Sequence, residues 1–149
     1  VTQLLSIRPI KELPEQIVEL EAQAVREGFR FVTRLITEWQ DHSNRFDQPG
    51  ECLLGVFCNE QLVAIGGVSS DPYAGPAVGR LRRVFVAPAM RGRHVGKDLV
   101  QALLKHAELA FEAVHVFTDT PKAAAFYLRC GFDQAADSTA THVRTSRRR

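Results

Sequence analysis

The chain has 149 residues, 45% hydrophobic and 24% charged, which suits one globular domain with its own core and argues against wholesale disorder. Its formal net charge of +2 is owed to four arginines among the last six residues, Arg144, Arg147, Arg148 and Arg149, so the balance implies no nucleic-acid face. Three cysteines, Cys52, Cys58 and Cys130, form no Cys-x-x-Cys pair, which disfavours a disulfide scaffold or a zinc site and suits buried free thiols. No run reaches the ~18 apolar residues of a membrane span, and the N-terminus, which begins at Val1, lacks a secretory pattern. The expectation is a single cytoplasmic domain over residues 1–149, with 145–149 as a basic tail.

Leu4 to Ile10 alternates as a first strand, closed by Pro9 and Pro14. From Leu13, the residues Ile17, Val18, Leu20, Ala24 and Val25 recur at helical spacing up to Gly28, and Phe31, Leu35, Ile36 and Trp39 mark a second helix. Asp41 to Gly50 is polar and turn-rich. Glu51–Cys58 and Leu62–Ser69 read as an antiparallel hairpin joined by Asn59-Glu60-Gln61. Two prolines and two glycines make Asp71–Gly79 a loop, and a strand runs from Arg80 to a stop at Pro88.

Val95, Leu99, Ala102, Leu103, His106 and Ala110 fall at spacings of three and four, a clear helix. Ala113–Thr118 is a short strand. Pro121–Arg129 is a helix with proline in its first turn and Gly131 just past its end. Phe132 opens a last strand region, with Thr141–Arg144 its best segment. The predicted order, β-αα-βββ-α-β-α-β, is a mixed, mostly antiparallel sheet flanked by helices, an α/β (α+β) domain.

The most informative segment runs from Val86 to Lys97 and joins a strand to a helix N-terminus. There the first-turn N–H groups lack intrahelical partners and the helix dipole presents its positive end. Gly92 and Gly96 let the backbone approach a ligand closely, while Arg91, Arg93 and Lys97 add positive charge. Together they form a candidate diphosphate cradle; the plain alternative is a basic surface turn. The absence of a Gly-Lys-Ser/Thr run and of Gly-x-Gly-x-x-Gly spacing sets aside a Walker loop and a dinucleotide fold.

These residues resemble the GNAT superfamily of acetyl-CoA-dependent N-acetyltransferases. Arg91-Gly92-Arg93-His94-Val95-Gly96 is similar to the family's R/Q-x-x-G-x-G/A loop, with His94 where the first motif glycine usually lies, a change that a negative φ would tolerate. Thr120-Pro-Lys-Ala123-Ala-Ala-Phe126-Tyr127…Gly131-Phe132 resembles N-x-x-A-x-x-F-Y-x-x-x-G-F, with Thr120 for the common Asn. Arg82-Arg83-Val84-Phe85-Val86 resembles the strand before the loop, whose bulge splays two strands apart. The resemblance covers roughly Glu51 to Phe132 and implies a three-layer fold and acetyl-CoA as acyl donor. It also implies main-chain pairing of Val84, Phe85 and Val86 with the pantetheine arm, and a hydroxyl of Tyr127 aimed at the coenzyme sulfur.

Acetyl transfer to an amine needs a held donor, a neutral amine, a stabilised oxyanion and a protonated thiolate. Tyr127 is the candidate proton donor to the thiolate, its alternative being a packed core tyrosine. Many family members carry a glutamate base on the fourth strand, where this chain has Arg80, Arg82 and Arg83. Asp71, His142 and Glu38 are therefore the candidate bases, each with a structural alternative as turn former, hydrogen-bonded histidine or solvated helix face. Arg82 or Arg83 could bind a carboxylate or phosphate of the acceptor, and strict alternation places Arg80 and Arg82 on one face with Arg83 on the other. Trp39 and Tyr73 are further acceptor-side candidates, while His115, in an apolar strand, reads as structural.

The expected activity is transfer of an acetyl group to a primary amine of a small molecule or protein, with no metal, no membrane and no nucleic acid, in a chain that could pair as a homodimer. Two other readings stand beside it: a non-catalytic acyl-CoA sensor of the same fold, and a nucleic-acid module using Arg80 to Arg93. The second lacks interleaved aromatics.

Overall fold

A computed structural model describes residues 4–145; the basic tail beyond Thr145 lies outside the described residues. Seven strands form one sheet in the order β1-β2-β3-β4-β5-β7-β6. They are β1 (Leu5–Pro9), β2 (Cys52–Cys58), β3 (Gln61–Asp71), β4 (Gly75–Val86), β5 (Ala113–Val116), β6 (Asp133–Gln134) and β7 (His142–Thr145). Neighbours run antiparallel except β4 and β5, which are parallel. Four helices flank them: α1 (Ile17–Arg26), α2 (Phe31–Gln40), α3 (Val95–Ala107) and α4 (Pro121–Arg129).

The layers follow from apolar spacing. In α3, Val95, Leu99, Val100, Leu103, Leu104 and Ala107 are buried, a stripe that packs across the central strands. Two adjacent glycines of β3 serve opposite layers. A Cβ on Gly66 would meet Leu103 and Leu99 of α3 at 3.2 and 3.3 Å, whereas one on Gly67 would strike the Phe46 ring at 2.5 Å. The sheet is thus sandwiched between α3 with α4 and a layer of α1, α2 and the Phe46 loop. Ile17, Leu20, Ala24, Val32 and Leu35 bury the inner side of that second layer. The free thiols of Cys58 and Cys130 are buried, and Cys52 is half-buried.

Three expectations need correction. Residues 75–79 are strand rather than loop, because Pro76 falls near the exposed start of β4, where a missing N–H breaks no essential ladder bond. The hairpin tip turns instead on Asp71, whose Oδ1 accepts the Tyr73 N–H (2.9 Å), and on Gly75 at φ +88°. The β2–β3 turn is also tighter than three residues, since Asn59 and Glu60 both take left-handed φ, 49° and 70°. Finally, the C-terminal region holds two strands. Two-residue β6 is too short to leave a periodic signal and exists through pairing with β7.

Candidate active site

The site begins with one extra residue. Gly67 pairs with Arg82 and Ile65 with Phe85, so β4 takes three steps where β3 takes two, and Arg83 sits in the bulge at φ +62°. Two consequences follow. Val84 and Val86 face the α3 layer, the first meeting Gly66 and the second Gly96, while Phe85 lies against Phe31 of α2, 6.1 Å between ring centroids. And β4 pairs with β5 only from Val78 to Arg80, so its last six residues, Leu81 to Val86, present a main-chain edge on that side.

Beyond Val86 the chain makes one short 3₁₀ turn over Pro88–Met90, pinned by the buried Met90. It enters α3 through Gly92 (φ +78°) and His94 (φ +61°). The condition under which histidine would replace the motif glycine without strain, a negative φ, is not met: His94 holds the left-handed geometry a glycine would supply, at a cost of roughly 1–2 kcal/mol. The first helical bond runs from Asp98 N–H to the His94 carbonyl (2.9 Å), so the N–H groups of Val95, Gly96 and Lys97 precede the ladder. No side chain caps this end. A Cβ on Gly96 would crowd Val86 at 3.2 Å and Phe126 at 3.4 Å, so the glycine lets the helix start pack closely against both.

Arg91 plays a different part from the one expected of a cradle charge. Its guanidinium makes two parallel bonds to the Glu27 carboxylate (2.7 and 2.5 Å) at the end of α1. It also donates to the Val86 carbonyl (3.2 Å) and lies 5.4 Å over Phe85. The Arg91 hydrogen bond holds Glu27 below its ordinary carboxylate value. Arg91 therefore latches the loop to α1, and Lys97 and Arg93 are the remaining cations of the segment.

The opposite wall is α4, with Thr120 as N-cap accepting the Ala123 N–H (3.2 Å). The Thr120 side chain is thus engaged in capping, and the helix start is fixed with Ala123 beside it. Tyr127 is buried among Phe126, Phe132 and His142, at 5.1, 5.5 and 6.5 Å between centroids. Burial first, and nearby Cys130 second, push its phenol well above the ordinary value, so the hydroxyl stays protonated across the physiological range. His142 lies on this inner side too. It is buried, within 2.9 Å of the Thr141 hydroxyl.

The other face of β4 carries charge. Arg82 shares its side with Gly67, whose Cβ direction points at Phe46, and Arg83 donates to Glu38 of α2 at 2.9 Å. The bulge thus overturns strict alternation: Arg80, Arg82 and Arg83 all face the α2 layer. Asp71 is not an exposed loop acid, for its side chain is 0% exposed, with Oδ2 lying 3.6 Å from Arg80 and 3.1 Å from His115 Nδ1. That last approach is a close contact and not a hydrogen bond, and neither atom has a hydrogen-bond partner among the described residues. Arg80 also donates to the Thr139 carbonyl (2.7 Å) and lies under Tyr73, 5.3 Å to the ring, with Tyr73 itself 66% exposed. Trp39 sits elsewhere, lining a groove with Leu13, Ile17 and Ile36 and stacking on Arg45 at 5.7 Å.

His115 is the residue that sequence reasoning set aside. It pairs with Arg80 in the last β4–β5 rung before the strands part. No sequence spacing links Asp71, Arg80 and His115, which come from three strands, so only the assembled sheet reveals them.

The profile of the GNAT acetyltransferase family matches residues 10–132, and the chain belongs to that family. No curated protein matches it by sequence. Solved structures share the fold. A candidate acetyltransferase from Exiguobacterium sp. 255-15 superposes with a TM-score of 0.85 at 24% identity, over 95% of this chain and 93% of that one. A GNAT family N-acetyltransferase (YhbS) from Escherichia coli in complex with CoA gives 0.72 at 18% identity, over 97% and 83%. Glucosamine-6-phosphate N-acetyltransferase from Arabidopsis thaliana gives 0.63 at 16%, over 93% and 97%. At these identities the likeness shows the fold alone. Among the described residues no helix is long and apolar enough to cross a membrane.

Proposed function

We propose that this chain transfers the acetyl group of acetyl-CoA to a primary amine of a small molecule or protein by direct attack of the amine on the thioester carbonyl. The observation that carries the reading is the uncapped N-terminus of α3 directly after a strand edge freed by a bulge. A diphosphate fits the N–H groups of the 92–97 turn, and a pantetheine arm fits the main chain of Val84, Phe85 and Val86 as an added strand. Gly96, without a side chain, lets the start of α3 pack closely against Val86 and Phe126, which sets the cradle beside the β4 edge. The YhbS neighbour, solved with CoA, supports that choice of donor.

When bound, acetyl-CoA supplies an activated acyl carbon. The β4 amides near Val86 hold its carbonyl and receive the charge that develops on oxygen. As the C–N bond forms and the C–S bond breaks, the amine proton passes to His115, directly or through water, with Asp71 orienting the imidazole from behind. Tyr127 keeps its proton at working pH and donates a hydrogen bond to the departing thiolate, which takes its proton from solvent. Glu38 is tied to Arg83 and His142 lies beside Tyr127; both serve the walls in this reading.

Isothermal calorimetry with coenzyme A, followed by thiol release from acetyl-CoA over an amine panel, tests it. Micromolar binding and turnover are expected, with Tyr127→Phe lowering kcat about 10- to 100-fold at unchanged KM for acetyl-CoA. Absence of coenzyme binding overturns the proposal, and binding without turnover on any amine points to a sensor.

A further inference from the structure

The arginine row of β4 holds more positive charge than its surroundings neutralise. Three guanidiniums face the α2 layer, and two carboxylates answer them: Asp71 beside Arg80 at 3.6 Å and Glu38 beside Arg83 at 2.9 Å. Arg82, between them in sequence, has no carboxylate in hydrogen-bond or ion-pair range among the described residues. It is half-buried. Burial first and Arg83 second hold its guanidinium below the ordinary value, against weaker support from Glu38. A second orphan lies next to it. The Arg83 side chain is only 9% exposed, yet its Nε–H has no acceptor, because Glu38 takes the terminal nitrogen alone.

The Arg83 Nε–H is a buried donor without an acceptor, a costly arrangement away from water. Arg82, half-buried beside it and without a carboxylate partner, sets a second guanidinium next to that donor, on the bulge that turns Arg83 out of alternation, so the pair can receive an acceptor oxygen pair. The neighbouring groups agree. Tyr73 lies over Arg80, and the row flanks the rung at which β4 and β5 part, so a ligand seated on Arg82 has its far end near the free β4 edge.

We infer that the acceptor of this enzyme is an amine whose other end carries an oxyanion, a carboxylate or a phosphate, seated on Arg82 and the Arg83 Nε–H. This rests on the acetyl-transfer reading and narrows it to a substrate class. A planar carboxylate would take the Arg82 fork bidentately, and a phosphate would span both arginines. Arg82 is here a specificity-determining residue, with no part in holding the donor.

Two measurements test this, the second independent of turnover. Matched amines that share one aminoalkyl chain and end in a carboxylate, a phosphate monoester or a neutral amide are compared by kcat/KM at saturating acetyl-CoA. An anionic member is expected to exceed the amide by about 10- to 100-fold, chiefly through KM. Which anion leads identifies the group, and Arg82→Gln brings the series within about 3-fold while leaving coenzyme A affinity unchanged. Separately, inorganic phosphate and acetate are titrated into the unliganded protein while the arginine Nε–H resonances are followed by NMR. Saturable shifts at Arg83, lost in Arg82→Gln, support the site. Equal rates for amide and anion, or no Arg82-dependent shift with either probe, overturn it. So does a shift of Arg82 and Arg83 by coenzyme A itself, which would assign the row to the donor. Failure of the acetyl-transfer reading would show separately, as absence of coenzyme binding in calorimetry.

Discussion

The two faces of β4 are built from different materials. On the α3 side the site is mostly main chain: a strand edge, left-handed turns at Gly92 and His94, and the uncapped N–H groups of α3. On the α2 side it is charge, with Arg80, Arg82 and Arg83 set against Asp71, Glu38 and His115. Main-chain sites tolerate side-chain change and fail through geometry. Charged sites tolerate small shifts in geometry and fail when a partner is removed. Fold neighbours at 15–24% identity share the backbone frame, and a frame by itself does not fix what a site binds.

The largest effect that would sharpen this contrast is expected at Asp71. Replacing a fully covered carboxylate by Asp71→Asn leaves Arg80 without its acid, and chemical denaturation should show a loss of about 3 kcal/mol. Coenzyme A affinity of the folded fraction should hold within about twofold. Gly96→Val attacks the other face. Its side chain enters the 3.2 Å gap to Val86 and the 3.4 Å gap to Phe126, and calorimetry should record coenzyme affinity falling on the order of 100-fold. The KM for the acceptor should barely move. A fall in acceptor affinity as large as that in coenzyme affinity would erase the separation of the two faces.

Tyr127 supplies a pH test. Its phenol is raised by burial, so the folded state holds a proton that the unfolded chain loses near its ordinary pKa of about 10. The stabilisation is complete below that value and drains as pH rises toward the higher folded value. Thermal midpoints should therefore decline above pH ~10 in the parent protein and decline less steeply in Tyr127→Phe. The smallest effect belongs to His94. A β-branched residue resists φ +61° more than histidine does, so His94→Val should cost about 1–2 kcal/mol in urea titration, with His94→Gly near neutral.

The same contrast explains what could be read in advance. The loop and α4 were legible because their turns and caps need particular residues at fixed short spacing: Gly92 and Gly96, Pro121 after Thr120, Gly131 after the helix. The charged face of β4 was not. Asp71, Arg80 and His115 lie on three strands, and the extra residue that turns Arg83 toward Glu38 has no signature of its own, since any residue type can bulge when the neighbouring register demands it. Asp71 reads from sequence as a candidate base at the end of the third strand, and the assembled sheet buries it there beside Arg80 and His115. Tyr73, an acceptor-side candidate from sequence, stacks its exposed ring on Arg80. Two-residue β6 escaped notice for the opposite reason. It is too brief for periodicity and owes its existence to one partner strand.

The irregularity at Arg83 has a consequence for anyone altering this enzyme. Removing a single residue from the second half of β4 would restore even pleating, and with it hydrogen bonding toward β5 could extend beyond Arg80. If the residue lost is Val84, Arg83 enters the regular alternation on the α3 side, away from Glu38, while Phe85 and Val86 keep the faces that their pairing with β3 sets. In the proposed reading the two faces of the site are therefore coupled through one peptide unit, and this strand accepts exchange of side chains far more readily than any change of length.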